Sequence, residues 1–444
     1  GKFGGDTDNW MWPRHTGDFS MFRIYAGADN EPADYSESNV PYKPKHSLPV
    51  NIQGLNDGDF TMIMGYPGST SRYLTSFELE DQQNNEAPVY VKALGKRLEL
   101  MKAEMDKSEQ VNIDYASTRA SLANTWKYFK GQLRGLKKFD LLSQKKLYEK
   151  ELQEWIEADE DRKKKYGSML SDFEKAFAAD PGLSKDMAYF NMAAFGPEFV
   201  GNGFGLWRLN SMLEGGSDEE AVNAFAKELL EGAKESMATY NALMDRNILE
   251  AMLDLLQTEL SENRKLEFFE TDYYQKKAKG SNATFADLVM NKSIMTDLGR
   301  LEKFLKKPKA KKLAKDPGFI YVNSIIQTFI SKLNMASRMR SGEMEELRNL
   351  YMQAIMEKEK TKSFYPNANF TMRLTYGTVK NYDSWEGKPF ETFTWASQIL
   401  DKYKAGDEEF DVPEKLRTLI KNKDYGQYGK DGKLPVCFLH NTDI

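Results

Sequence analysis

The chain is poor in the residues that build most catalytic and metal centres. It has one cysteine, Cys437, in 444 residues. That excludes an internal disulfide framework and a cysteine-based zinc site. Cys437 lies in the apolar stretch 434–439, where a buried, inert thiol is expected. The three histidines, His15, His46 and His440, have no helical ligand spacing and no HExxH, which argues against a histidine metal site. GxSxG and Walker sequences are absent. So is any apolar run of roughly 18 residues, the length of a membrane-spanning helix. A net charge of −5 does not suit a nucleic-acid partner. The one basic run, Lys306 to Lys315, holds six lysines and reads as a solvated face.

What remains is an ordinary globular composition, 40% hydrophobic and 29% charged, in a chain long enough for two or three domains. The first seventy or so residues read as β. Phe19, Met21 and Ile24 suggest a short half-buried strand, and Phe60–Met64 a second, ended by the turn at Tyr66-Pro-Gly-Ser. From Thr75 to Lys360 the pattern is helical, and proline is sparse there. Thr75 with Glu78, and Ser217 with Glu220, have capping-box spacing. Leu147, Tyr148, Leu152, Trp155 and Ile156 form one apolar stripe. Ile248, Leu249, Met252, Leu253 and Leu256 form a second, and Met344, Leu347, Leu350, Tyr351 and Ile355 a third. Period two returns at Phe370, Met372, Leu374 and Tyr376, and Leu434–Leu439 is a last apolar run. This layout predicts an α+β, multi-domain protein: a β part at 1–74, an inserted α-helical domain at 75–362, and a second β part at 363–444. Gly201-x-Gly-x-Gly205 lacks the spacing of a dinucleotide fingerprint and reads as a structural loop. Asn282, Asn291 and Asn369 each open a short match to the glycosylation pattern, which is weak evidence.

The densest chemistry falls between Gly4 and Ser20. Two tryptophans, three aspartates, Asn9, Arg14 and His15 crowd into this stretch. Such a loop before a strand points to function rather than packing. The stretch Asn9-Trp-Met-Trp-Pro-Arg-His-Thr-Gly-Asp18-Phe resembles the signature of the bacterial dipeptidyl peptidase 7 and 11 family of serine exopeptidases. The likeness continues at Gly65-Tyr-Pro-Gly68, at Leu122-Ala-Asn124 with Lys127-Tyr, at Tyr365-Pro-x-Ala-Asn-Phe-Thr and at Leu434-Pro-Val-Cys-Phe-Leu, and so spans the chain.

The resemblance implies parts of a chymotrypsin-like double β-barrel flanking a large helical insertion. It implies Asp18 as the acid of a Ser-His-Asp triad, and Asn9, Trp10 and Asn124 as the residues gripping the substrate's free amino terminus. An ammonium needs oxygen acceptors and tolerates an aromatic face, which suits those side chains. His15 is read as structural, because the family's base is a different, upstream histidine. Arg14 is expected to pair with nearby aspartates or carbonyls. The family's serine, in a Gly-Asn-Ser-Gly context, would lie beyond Ile444, so the chain is expected to be an internal fragment, inactive by itself. No cofactor or metal is implied. The implied partners are oligopeptides with free N-termini and a second copy in a homodimer, and the implied location is periplasmic, outer-membrane-associated or secreted. Residues beyond Ile444 are expected to set the choice between acidic and apolar side chains at the cleaved position. The competing readings are a non-catalytic helical adaptor and a pseudoenzyme lacking a triad member.

Overall fold

The helical periodicity from Thr75 onward becomes a compact unit, Arg72–Tyr365, separate from a second unit formed by residues 1–71 and 366–444. The computed structural model describes residues 3–4, 11–17, 21–384, 387–407 and 409–443. In the helical unit the first helix, Ser76–Asp81, starts at a capping box: Thr75 Oγ1 accepts from Glu78 N, and Glu78 accepts from Thr75 N at 2.8 Å. The second cap differs from the sequence reading by one residue. Asp218, not Ser217, accepts from Ala221 N at 2.7 Å, because the extended residue 218 brings a carboxylate onto that donor.

The apolar stripes become packing faces. Ile248, Leu249, Met252, Leu253 and Leu256 of helix Ala242–Glu259 are all buried in the main core. A smaller core gathers Leu152 and Ile156 with Met344, Tyr351 and Ile355. Leu147, at the edge of its stripe, is exposed. Each fully buried side chain of this size contributes about 1.5–3 kcal/mol. The glycine-rich 201–205 segment is not a loop but lies inside helix Phe199–Glu214. A Cβ at Gly203 would lie 2.6 Å from Val322 Cγ2 and one at Gly205 2.3 Å from Leu229 Cδ2, so both glycines admit neighbouring helices at close range. Asn282 is buried and donates to Asp254 Oδ1 at 2.7 Å, which leaves no room for a glycan. The lysines of the 306–315 run are exposed. Among the described residues, no helix is long and apolar enough to cross a membrane.

Among the described residues the other unit carries six short strands in three antiparallel pairs. They are β1 (Tyr25–Ala26) with β2 (Val40–Pro41), β3 (Phe60–Gly65) with β4 (Arg373–Thr378), and β5 (Phe393–Trp395) with β6 (Pro435–Phe438). No closed barrel forms among the described residues. The strand expected at Phe19–Ile24 is not found in its described part. Residues 21–24 are not in a strand, although Ile24 O accepts from Tyr42 N at 2.9 Å at the edge of the β1–β2 pair, and Met21 and Phe22 are 89% and 91% exposed.

In the β3–β4 ribbon Met62 faces Tyr376 and Met64 faces Leu374. That apolar side is exposed, whereas Thr61 and Thr375 on the other side hydrogen-bond residues 442 and 443. A small core of Phe3, Ala396, Ile399, Val412 and Ile420 sits beside β5 and β6. Cys437 is only half-buried, since β6 has β5 on one edge and little covering it.

Candidate functional site

The motif loop is held at both ends. Phe3 is buried against Phe410, with ring centroids 5.6 Å apart in an edge-on contact. Gly4, at a φ of 58° that favours glycine, donates to Glu409 O at 2.8 Å. Gly17 N then returns to Phe3 O at 3.3 Å. Phe3 and Gly17 are thus joined to each other, and Phe3 sits in a packed base, a rigid scaffold of the kind on which functional loops are carried. Asn9, Trp10 and Asp18 lie outside the described residues.

Two further contacts fix the loop's descending limb. Thr394, in the middle of β5 and 1% exposed, donates to Arg14 O at 2.7 Å and accepts from Cys437 N of β6 at 3.1 Å. His15, 3% exposed, places Nε2 3.0 Å from Gln398 Oε1. The same Gln398 oxygen receives Trp395 N at 2.8 Å. A backbone N–H can only donate, so the amide atom facing it is the oxygen. His15 Nε2 must therefore carry a proton and donate. His15 Nε2 is thus engaged as a donor, and the ring is buried at this contact. Arg14 Nε donates to Thr16 Oγ1 at 3.0 Å.

Asn124 belongs to the helical unit. It lies on the exposed face of helix Glu109–Lys138. The opposite face packs on helix Ala87–Met105. Ala123 is buried, Trp126 Nε1 donates to Val91 O at 3.0 Å, and Phe129 stacks on Tyr90 at 4.1 Å. Gly95 leaves room for that indole, since a Cβ there would lie 3.0 Å from Trp126 Nε1. Asn124 is thus presented from a rigid two-helix base. Among the described residues no group of three or more His, Cys, Asp and Glu side chains is placed to hold a metal ion. Thr394, Gln398 and Phe3 were not singled out from the sequence. The only signal near them was the family-like apolar run at Leu434–Leu439, which contains β6.

Comparison with known proteins gives these residues a setting. The chain is 36% identical over 99% of its length to an Asp/Glu-specific dipeptidyl-peptidase of Flavobacterium psychrophilum, and covers 61% of that protein. It is 35% identical over its whole length to dipeptidyl-peptidase 7 of Porphyromonas gingivalis, again covering 61%. Its structure resembles Porphyromonas endodontalis DPP11 in complex with the dipeptide Arg-Glu, with a TM-score of 0.82 and 26% identity over 99% of this chain and 63% of that one. The chain therefore spans about three-fifths of the length of these relatives. The Peptidase S46 family model matches residues 1–444 without interruption, and the chain belongs to the Peptidase S46 family.

Proposed function

We propose that this chain is the central part of a serine-type dipeptidyl peptidase that removes dipeptides from the free amino terminus of oligopeptides. The observation that carries the reading is the family match over residues 1–444, joined to relatives that are themselves dipeptidyl-peptidases. In this reading Asp18 is the triad acid. It accepts from one nitrogen of the catalytic imidazole, fixes its tautomer and stabilises the imidazolium. The histidine and the serine come from the part of the relatives' length that this chain does not span. The serine attacks the second peptide bond of the substrate, and the histidine takes its proton and returns it to the leaving amine.

Asn9, Trp10 and Asn124 bind the ammonium. Such a grip measures two residues from the terminus, which makes the enzyme release dipeptides. The helical unit is an insertion that supplies Asn124, and the strand pairs are pieces of chymotrypsin-like barrels. The exposed apolar side of β3–β4 supports that last point, since a strand face carrying Met62, Met64, Leu374 and Tyr376 requires a cover. A homodimer and a periplasmic, outer-membrane-associated or secreted location go with the same reading.

The test is hydrolysis of fluorogenic dipeptidyl substrates, acidic and apolar at the second residue, by the full-length enzyme and its Asp18→Asn variant. The expected loss is on the order of 10⁴ in kcat with the fold retained, because the amide leaves the histidine in the wrong tautomer. Full activity in Asp18→Asn removes Asp18 from the triad.

A further inference from the structure

We infer that Thr394 and Gln398 are positioning residues for the triad acid: a two-point latch that fixes residues 14 and 15 and, through them, the path of the chain into Asp18. The inference rests on the reading of Asp18 as that acid.

Two consecutive residues of the motif are tied to neighbouring elements. Arg14 is held at its carbonyl by the hydroxyl of Thr394, at the centre of β5. His15 is held at its ring by the Gln398 amide, in helix Ser397–Lys402. Neither tie is incidental. Thr394 is fully buried, and its hydroxyl, which the similarly shaped valine lacks, is what distinguishes the residue. Its one proton goes to Arg14 O, and its lone pair takes Cys437 N. The β5–β6 pair and the motif loop therefore share one atom. The Gln398 oxygen is similarly shared, between His15 Nε2 and Trp395 N. Each latch atom is thus oriented by the β5 region before it holds the loop.

The residues tied to β5 and to helix Ser397–Lys402 lie four and three positions before Asp18 in the sequence. Gly17 N is pinned to Phe3 O, and one peptide bond separates Gly17 from Asp18. A shift at residue 14 or 15 is therefore expected to be felt at its near sequence neighbour Asp18. A triad acid is sensitive to such shifts, since about 1 Å of misplacement costs on the order of 100-fold in rate.

The experiment uses the full-length enzyme and reads kcat on a dipeptidyl substrate, with thermal unfolding as the folding control. Thr394→Val keeps the shape and removes the hydroxyl, and Gln398→Leu removes the shared acceptor. Each is expected to lower kcat about 10- to 100-fold. Thr394→Ser keeps the donor and Gln398→Glu keeps the acceptor oxygen, and each is expected to stay within roughly fivefold of wild type.

The distinguishing readout is the cycle with Asp18→Asn. If the latch acts through Asp18, Thr394→Val adds less than about threefold in that background. An undiminished loss there makes Thr394 a general structural residue and overturns the proposal. So does a folded Thr394→Val or Gln398→Leu enzyme at wild-type rate. If Thr394→Val does not fold, Gln398→Leu against Gln398→Glu decides alone. Failure of the underlying reading looks different: Asp18→Asn is then fully active, whatever the latch variants do.

Discussion

Replacing Asp245 with alanine tests how the helical unit joins two of its helices. Asp245, 1% exposed, caps helix Phe199–Glu214 from outside that helix. Its Oδ1 accepts from Glu198 N at 2.6 Å, and its Oδ2 accepts from Phe199 N at 3.0 Å and from Tyr240 Oη at 2.9 Å. Burial pushes this carboxyl up in pKa, and the three hydrogen bonds pull it back. Without the carboxylate, Phe199 N is left buried and unpaired, while Glu198 N is closer to water. Tyr240 retains Met290 Sδ at 3.3 Å as an acceptor. An unsatisfied buried donor costs about 1–3 kcal/mol, and a lost N-cap costs about 0.5–2 kcal/mol. The expected loss for Asp245→Ala is thus about 1.5–3.5 kcal/mol, counting the exposed donor at the lower end. Asp245→Asn should fall in the same range, because one amide oxygen cannot serve both sets of donors. Equilibrium urea unfolding of the 444-residue chain, followed by helical circular dichroism, measures the loss, with unchanged slopes showing that the states compared are the same. A loss below about 1 kcal/mol for Asp245→Ala would refute the capping account.

Three other outcomes are expected. In the full-length enzyme, Asn9→Ala or Asn124→Ala should weaken transition-state binding by about 1–3 kcal/mol, read as a fall of roughly 5- to 150-fold in kcat/KM, the scale for a hydrogen bond to a charge. Unchanged kcat/KM in both variants would remove the amine clamp. Gly203→Ala should cost about 1–3 kcal/mol by driving a methyl into Val322, whereas Gly201→Ala, with nothing within 4 Å of its Cβ, should be neutral or slightly stabilising. Equal effects in urea titrations would show that the glycine is not what lets the helices approach. Burial raises the Glu149 carboxyl in pKa, opposed by hydrogen bonds from Ser76 and by Lys145. Its contribution to stability is then fully present below its unfolded pKa and is lost as pH rises through the raised folded value. The urea midpoint of the wild-type chain should accordingly fall more steeply than that of Glu149→Gln as pH rises above the ordinary carboxylate range. Parallel slopes would contradict the direction of the shift.

Local pattern carried much of the helical unit. The stripe from Ile248 to Leu256 is buried in full because a 3.6-residue period can face a core in only one way. What failed were readings that needed a partner. Glycines spaced as at 201, 203 and 205 look like a loop until the helices bearing Val322 and Leu229 are seen against them. Ser217 and Asp218 both suit a cap, and only the backbone at residue 218 selects between them. Met21, Phe22 and Ile24 have strand composition, but composition alone does not furnish a neighbouring strand, and the three are exposed.

The site divides along the same line. The motif from Asn9 to Asp18 stands out in the sequence because its composition is dense and its residues are adjacent. The residues that hold it do not, because Thr394 and Gln398 are 380 and 383 positions away from Arg14 and His15, and no local period records such a contact. The β3–β4 ribbon shows how far pattern reaches. Alternation at Phe370, Met372, Leu374 and Tyr376 identifies a strand region with an apolar side, and β4 runs antiparallel to β3 with its apolar residues gathered on one face. Alternation says that such a face calls for burial, but not what buries it. Here Leu374 and Tyr376 are 59% and 72% exposed, while the opposite side is tied down by Thr442 and Asp443. A strand pair covered on its polar side and open on its apolar side is half of a layer, since sheets become stable by packing the apolar face. That asymmetry is what the proposed placement of the ribbon inside a larger β assembly rests on.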